Sequence, residues 1–306
     1  MSPPASRSVR PALSSLHTHT LFCDGRDDVE TMCRAAFDKG LCAIGFSAHG
    51  PLFKKTGIKT DWHIPDEQLD SYIGEVRAAR CRWEGKLIVY LGLELDYIKG
   101  LRSALDPDIQ ALGLDYIIGS VHYIAPANGA ELFTVDGPAE EMERGVRDGF
   151  GGDGEAVMHA YWDAVSEMIT LGGFDILGHI DLVKKNNQDG RWFDIESEAC
   201  RLRAAETARL AAAAGLMVEL NTGGLNRNIT RDTYPSPSFL RLFRERRVPV
   251  LITADAHRAE DLDGHYDVAL QTLLEAGYTE HALFAGRKNG RALWEFAGLC
   301  PPGNNP

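Results

Sequence analysis

No apolar run in this 306-residue chain is long enough to read as a membrane-spanning helix. Cysteine is sparse: the six thiols, Cys23, Cys33, Cys42, Cys81, Cys200 and Cys300, are scattered and form no C-x-x-C pair. That excludes a disulfide framework and a thiolate zinc knuckle, and reads as reduced thiols of a cytoplasmic protein. Basic charge is also short. Against 44 acidic residues stand 32 Lys and Arg, a net charge of −12. Broad nucleic-acid binding needs a basic surface to displace counterions from phosphates, so a nucleic-acid partner is not expected. No glycine-rich phosphate fingerprint follows the first strand-like segment, which argues against a dinucleotide-binding sheet. No convincing Ser or Cys triad is present, and no lysine at a strand end could serve as a carbamylated bridge.

What remains is an ordinary soluble composition, 44% hydrophobic and 25% charged, at a length that fits one large domain. Residues 1–12, rich in Pro and Ser with no apolar segment, read as a short flexible leader, and 301–306 as a flexible tail. Between them, over 13–300, short β-branched runs alternate with longer helical patterns. The strand-like runs are LSSLHTH, CAIGFSAH, LIVYLGLEL, DYIIGSVH, FDILGHI, LMVELN and VPVLITADAH. Strand then helix, seven times over, predicts an α/β fold with a parallel sheet covered by helices, either an open sheet or a closed barrel. Two connections, 50–66 and 124–155, are long enough to suggest functional loops at the carboxyl ends of the strands.

Each strand-like run ends in polar groups able to bind a metal or a ligand. These are His17 and His19; His49; Glu94 and Asp96; His122; His179 and Asp181; Glu219 and Asn221; Asp255 and His257. One histidine at a strand end ordinarily bonds to backbone. Seven strands ending this way imply a common centre, because the carboxyl ends of parallel strands converge on one mouth. Residues i and i+2 of a strand share a face, so His17 and His19 can present two imidazoles to one cation, and Asp255 and His257 a carboxylate and an imidazole. Nitrogen and carboxylate donors together suit Zn, Mn or Fe, and Glu94 is the candidate bridging carboxylate. Arg227, after the sixth strand, offers a planar guanidinium able to bind an anionic group in bidentate fashion. Lys184, Lys185 and Asn221 are further substrate-binding candidates. His63, His159, His265 and His281 lie away from the strand ends and read as structural.

The set HTH…D, SAHG, GLELD, GSVHY, GHIDLVKK, ELNTGG and TADAH resembles the PHP (polymerase and histidinol phosphatase) superfamily over about residues 13–296, specifically its stand-alone histidinol-phosphatase branch. The resemblance implies a distorted (β/α)7 barrel, TIM-like, with two to three divalent ions. It places His17, His19, Glu94 and Asp255 at one metal, and Glu94, His122 and His179 at a second. Asp24, His49 and His257 fall at a third, although some members carry histidine where this chain has Asp24. The implied activity is hydrolysis of L-histidinol phosphate in histidine biosynthesis. Water would attack as a hydroxide bridging two metals, with Glu94 and Asp255 catalytic and Asp255 or water as proton donor to the leaving alcohol. The alternatives are a PHP phosphoesterase acting on nucleotide or nucleic-acid ends or on phosphotyrosine, an amidohydrolase-type C–N hydrolase, and a vestigial binding module. No membrane partner is expected, and oligomeric state is not legible.

Overall fold

The computed structural model describes residues 12–299; the leader expected over 1–12, apart from Ala12, and the tail over 301–306 lie outside them. Eleven strands lie among the described residues. Seven form one parallel sheet: β1 (Ser14–Ser15), β2 (Ala43–Phe46), β3 (Ile88–Asp96), β4 (Tyr116–Ser120), β7 (Ile176–Leu177), β8 (Met217–Asn221) and β9 (Val250–Thr253). A short hairpin, β5 (Tyr123–Ile124) and β6 (Phe133–Thr134), sits in the loop after β4. The sheet closes on itself where Thr18 pairs in parallel with Ala256, through His19 N to Ala256 O at 2.9 Å and Ala256 N to His17 O at 3.0 Å. The first strand and the last are therefore neighbours, and the barrel has seven strands.

The helices follow from local signals. The first, α1 (Val29–Asp38), is capped by Asp28, whose side chain accepts from Thr31 N at 2.7 Å. It buries Val29, Met32, Cys33 and Ala36, one face at helical spacing. The helices α2 (Phe53–Thr56), α3 (Leu69–Arg82), α4 (Pro107–Gln110) and α5 (Ala139–Arg144) lie in the next three connections. The longest, α6 (Gly154–Leu171), is capped by Asp153 and stops at Gly172, whose φ is 79°. It packs against α7 (Glu198–Ala214), whose small residues Ala204, Ala208 and Ala211 are fully buried. A short turn, α8 (Gly223–Asn226), leads to α9 (Pro237–Glu245), and α10 (Tyr266–Glu275) follows β9.

The last two strands, β10 (Glu280–Lys288) and β11 (Arg291–Gly298), form an antiparallel hairpin that the strand–helix rhythm does not anticipate. Ala282 and Phe284 pack on Leu16, Tyr116, Ile118, Ile176, Met217 and Leu251 from the barrel strands. Tyr90 Oη donates to Phe284 O at 3.0 Å, and Arg287 Nε to Asp115 O at 2.8 Å. Asp115 immediately precedes β4, so the hairpin seals the amino-terminal end of the barrel and leaves the carboxyl end open.

A seven-stranded barrel has little interior room, and Tyr116 takes much of it. Its ring lies over Gly92 and Gly45, and its hydroxyl donates to Leu16 O. A Cβ at residue 92 would meet the ring at 2.6 Å. Overpacking of this kind costs about 1–3 kcal/mol. Gly92→Ala should lower unfolding stability by that amount in denaturant titration. A midpoint equal to that of the parent would show that the barrel interior is looser than this packing implies.

Candidate metal centre

The polar side chains at the open end are placed by the last residues of the strands, as Glu94 is in β3, or by backbone that has just left them. His17 and His19 flank the closing Thr18 bridge, and Thr18 Oγ1 donates to Gly45 O at 2.6 Å. His49 forms an isolated parallel bridge with Glu94 of β3. His122 follows β4, His179 follows β7, and Asp255 and His257 follow β9. All except Asp24 and His257 are almost fully buried.

Glu94 is the hub. Its Oε2 lies 3.0 Å from His49 Nδ1, 3.1 Å from His17 Nε2 and 3.6 Å from His19 Nε2. Its Oε1 lies 2.8 Å from His179 Nε2 and 3.5 Å from His122 Nε2, and accepts from Ser120 Oγ at 2.7 Å. The two oxygens of one carboxylate thus face two separate sets of imidazoles. Asp255 Oδ1 adds a contact at 3.2 Å to His19 Nε2 and one at 3.7 Å to His17 Nε2. On the outer side, Asp24 reaches His257 Nε2 at 2.9 Å, His19 Nδ1 at 3.4 Å and His49 Nε2 at 3.9 Å.

Donor atoms close enough to share a cation fall into overlapping groups. Three of them are His17, His19 and Glu94; His49, Glu94 and His122; and His19, Asp24, His49 and His257. His17 Nε2, His19 Nε2, His49 Nδ1 and Glu94 Oε2 are buried with no hydrogen-bond partner. Unpaired buried polar atoms are rare and expensive, and here they converge. Divalent cations fit that arrangement, and the nitrogen and carboxylate donor set suits zinc-like metals.

A second ring of groups orients the first. Glu219 Oε2 faces His17 Nδ1 at 2.8 Å and accepts from Thr253 Oγ1 at 2.9 Å, while its Oε1 accepts from His179 N at 2.6 Å. With a proton held on Nδ1, His17 Nε2 is the nitrogen left to face a cation in the centre. Asp96 does the same for His122, with Oδ1 2.7 Å from Nδ1.

Burial disfavours charge on Glu94, yet His17, His49 and His122 hold its carboxyl well below the usual range. Burial lowers His122 as well, but Asp96 and Glu94 outweigh it and push it up to about 10. His17 is likewise raised, as Glu219, Glu94 and Asp255 overcome its burial. His49 goes the other way, to about 3, because burial prevails. The metal-free protein therefore carries protons on His17 and His122 at neutral pH, and a cation must displace them. Metal loading should release protons near pH 7, and affinity should fall as pH is lowered. Calorimetry in buffers of different ionisation enthalpy measures this; a buffer-independent heat would contradict it.

The nine sequence-predicted ligands thus come together at one mouth. Arg227 joins them: Nη2 donates to Asp255 Oδ2 at 3.0 Å, and Nη1 lies 3.1 Å from His257 Nδ1. Lys185 lines the same recess, of about 910 Å³, with Nζ 3.4 Å from Asp136 Oδ2. Two expected substrate-binding residues point elsewhere. Lys184 Nζ is held inside the fold by Asp181 Oδ2, Thr233 O and Ser236 Oγ at 2.7–3.0 Å. Asn221 is fully buried, donating to Glu219 Oε1 and accepting from Gly223 N. Both brace the strand ends rather than face the recess. Asp181 is also structural, since its Oδ2 accepts from Ser236 N at 2.8 Å.

His63, read from the sequence as structural, is drawn into the site: its Nε2 lies 2.7 Å from Asp96 Oδ2. Its loop position in DWHIPDE gave no signal. For Asp96 a signal existed, two residues beyond Glu94 on the same strand face. Asp136 and Arg258 also line the recess and are not among the sequence candidates. His159, His265 and His281 lie outside it. Among the described residues no helix is long and apolar enough to cross a membrane.

Residues 15–223 match the family described as PHP domain. Over 266 residues the chain is 29% identical to a probable histidinol-phosphatase of Deinococcus radiodurans, covering 87% of this chain and 94% of that one. It is 26% identical over 267 residues to the histidinol-phosphatase of Bacillus subtilis, covering 83% and 97%. Among solved structures, a putative histidinol phosphatase of Listeria monocytogenes superposes with a TM-score of 0.74 at 25% identity, over 83% of this chain and 99% of that one. Histidinol phosphate phosphatase of Lactococcus lactis, solved with Zn, L-histidinol and phosphate, gives 0.67 at 21% identity, over 90% and 99%.

Proposed function

Because the chain belongs to the PHP-domain family, we propose that it is a metal-dependent phosphomonoesterase, and specifically a histidinol-phosphatase that converts L-histidinol phosphate and water to L-histidinol and phosphate. The observation that carries the metal-dependent reading is Glu94, one buried carboxylate facing separate imidazole sets with its two oxygens. The choice of substrate rests on the relatives named histidinol-phosphatase, which pair with this chain along nearly their whole length.

Two to three Zn, Mn or Fe ions would be held by His17, His19, Glu94 and Asp255; by Glu94, His122 and His179; and by Asp24, His49 and His257. When bound, such cations polarise phosphoryl oxygens and bring the pKa of water towards neutrality. The chain's own residues do the rest. Arg227 offers a guanidinium at the rim of the recess, placed to take a phosphate oxygen. Lys185 supplies a second cation from the β7 side. Burial opposes charge on Asp255, but Arg227 and His17 hold it well below the usual carboxylate range. An ionised carboxylate suits a ligand and not an acid, so the proton for the departing alcohol comes from water in the open recess.

A phosphate-release panel on metal-reconstituted protein tests the reading. It compares histidinol phosphate with sugar and amino-alcohol phosphates, phosphotyrosine and a short oligonucleotide. Preference for histidinol phosphate in kcat/KM is expected. Equal rates across small phosphomonoesters would overturn the substrate assignment and leave the phosphatase; no metal-dependent release from any of them would overturn both.

A further inference from the structure

The loop after β2 turns back over the mouth and is tied there by two contacts. Ile64 N donates to His49 O at 3.0 Å, and His63 reaches Asp96. Asp96 is buried, and both its oxygens are taken by imidazoles: Oδ1 by His122 Nδ1 at 2.7 Å and Oδ2 by His63 Nε2 at 2.7 Å. On the far side of His63, Nδ1 lies 2.8 Å from Thr60 Oγ1. One proton arrangement satisfies the whole chain of groups. The Thr60 hydroxyl donates to His63 Nδ1, His63 Nε2–H donates to Asp96, and His122 Nδ1–H donates to Asp96. His122 Nε2, 3.5 Å from Glu94 Oε1, is then the atom left to face a cation once its proton is displaced.

From this geometry we infer that His63 is a positioning residue: through Asp96 it fixes the His122 ring, and so governs how firmly the centre retains one of its cations. The inference rests on the metal-centre reading above. Without His63, Asp96 Oδ2 would be a buried carboxylate oxygen lacking its donor. The carboxylate would be free to turn, and the ring of His122 with it. Trp62 couples the same device to the open recess, with its ring 3.8 Å from that of His63 and 5.4 Å from that of His122. His63, His49 and Asp96 are also close enough together to share a cation themselves. The test must therefore separate a hydrogen-bond donor from a ligand.

Glutamine and asparagine make that separation. The amide nitrogen of Gln sits where Nε2 of His lies and can donate to Asp96, whereas that of Asn sits near Nδ1 and cannot reach. Wild type, His63→Gln, His63→Asn and His63→Ala, as full chains reconstituted with zinc, are equilibrated against graded chelator. Retained metal is counted, and phosphate release is measured for kcat and KM. Partners of metal-ligating histidines are typically worth 10–100-fold in metal affinity. The Ala and Asn variants should lose one cation at about 10–100-fold lower chelator, with kcat reduced and KM within about twofold of wild type. Gln should restore most of both. If Ala does not fold, the Gln and Asn pair carries the comparison. The inference is overturned if Asn retains metal as wild type does, or if Gln loses a full equivalent as Asn does, which would make His63 a ligand. Wild type that binds no zinc would instead overturn the metal-centre reading itself.

Discussion

Glu94→Gln should reduce phosphate release by about four orders of magnitude and remove at least one bound cation. The substitution keeps shape and leaves a carbonyl oxygen able to accept from Ser120 Oγ, so the local hydrogen bond survives. What it removes is charge at a point surrounded by five imidazoles, those of His17, His19, His49, His122 and His179, at 2.8–3.6 Å. An amide is a poor bridging ligand, and its nitrogen would face imidazole nitrogens on one side. Lewis-acid stabilisation of a phosphoryl transition state is worth several kcal/mol, and about 1.4 kcal/mol is a factor of ten in rate. Steady-state kinetics and metal counting on the same preparation check the result. His159→Gln, outside the recess, serves as a control and should leave both unchanged. If Glu94→Gln kept a tenth of the parent's activity with its full metal content, the bridging role would be wrong.

How much of this could be read from the sequence depended on whether a residue's position follows from its own strand. The barrel strands could be read because each is a short β-branched run set between helices with their own caps and stops. The convergence of the nine polar side chains could be read because H-x-H on a strand puts two imidazoles on one face, and parallel strands share a mouth. The closing β10–β11 hairpin was missed although Asn289 and Gly290, both at positive φ, are a common two-residue hairpin turn. His63 could not be read, because what brings it to Asp96 is the docking of a long loop, a tertiary event with no periodic trace. The same holds for Lys184 and Lys185. They are adjacent in sequence, yet one is locked against Asp181 beneath the surface and the other lines the recess. Nothing local distinguishes their directions.

That distinction leads to the second large effect. Arg227→Met should lower kcat/KM by about 10²–10³, the range for removing one charge-stabilising donor from a transition state. The guanidinium bonds to Asp255 Oδ2 and lies against His257 Nδ1, with its side chain 30% exposed at the recess. Two roles are open to such a group, support of the metal ligands or capture of phosphate, and they predict opposite metal behaviour. As a clamp, Arg227 is a cation set beside bound cations. Removing it relieves repulsion, so metal should be held at least as tightly while turnover falls. As a mere support for Asp255, its loss should release metal in proportion to activity. Arg227→Lys sharpens the test, since lysine keeps the charge but not the planar fork, and should recover only part of the loss. Lys184→Met should show the reverse pattern. Removing a buried ammonium strands Asp181, so unfolding stability should drop by about 3 kcal/mol with kcat/KM within about twofold. An Arg227→Met protein with unchanged kcat/KM would remove the clamp from the mechanism. One whose activity returned on adding excess metal would make Arg227 a support for Asp255 instead.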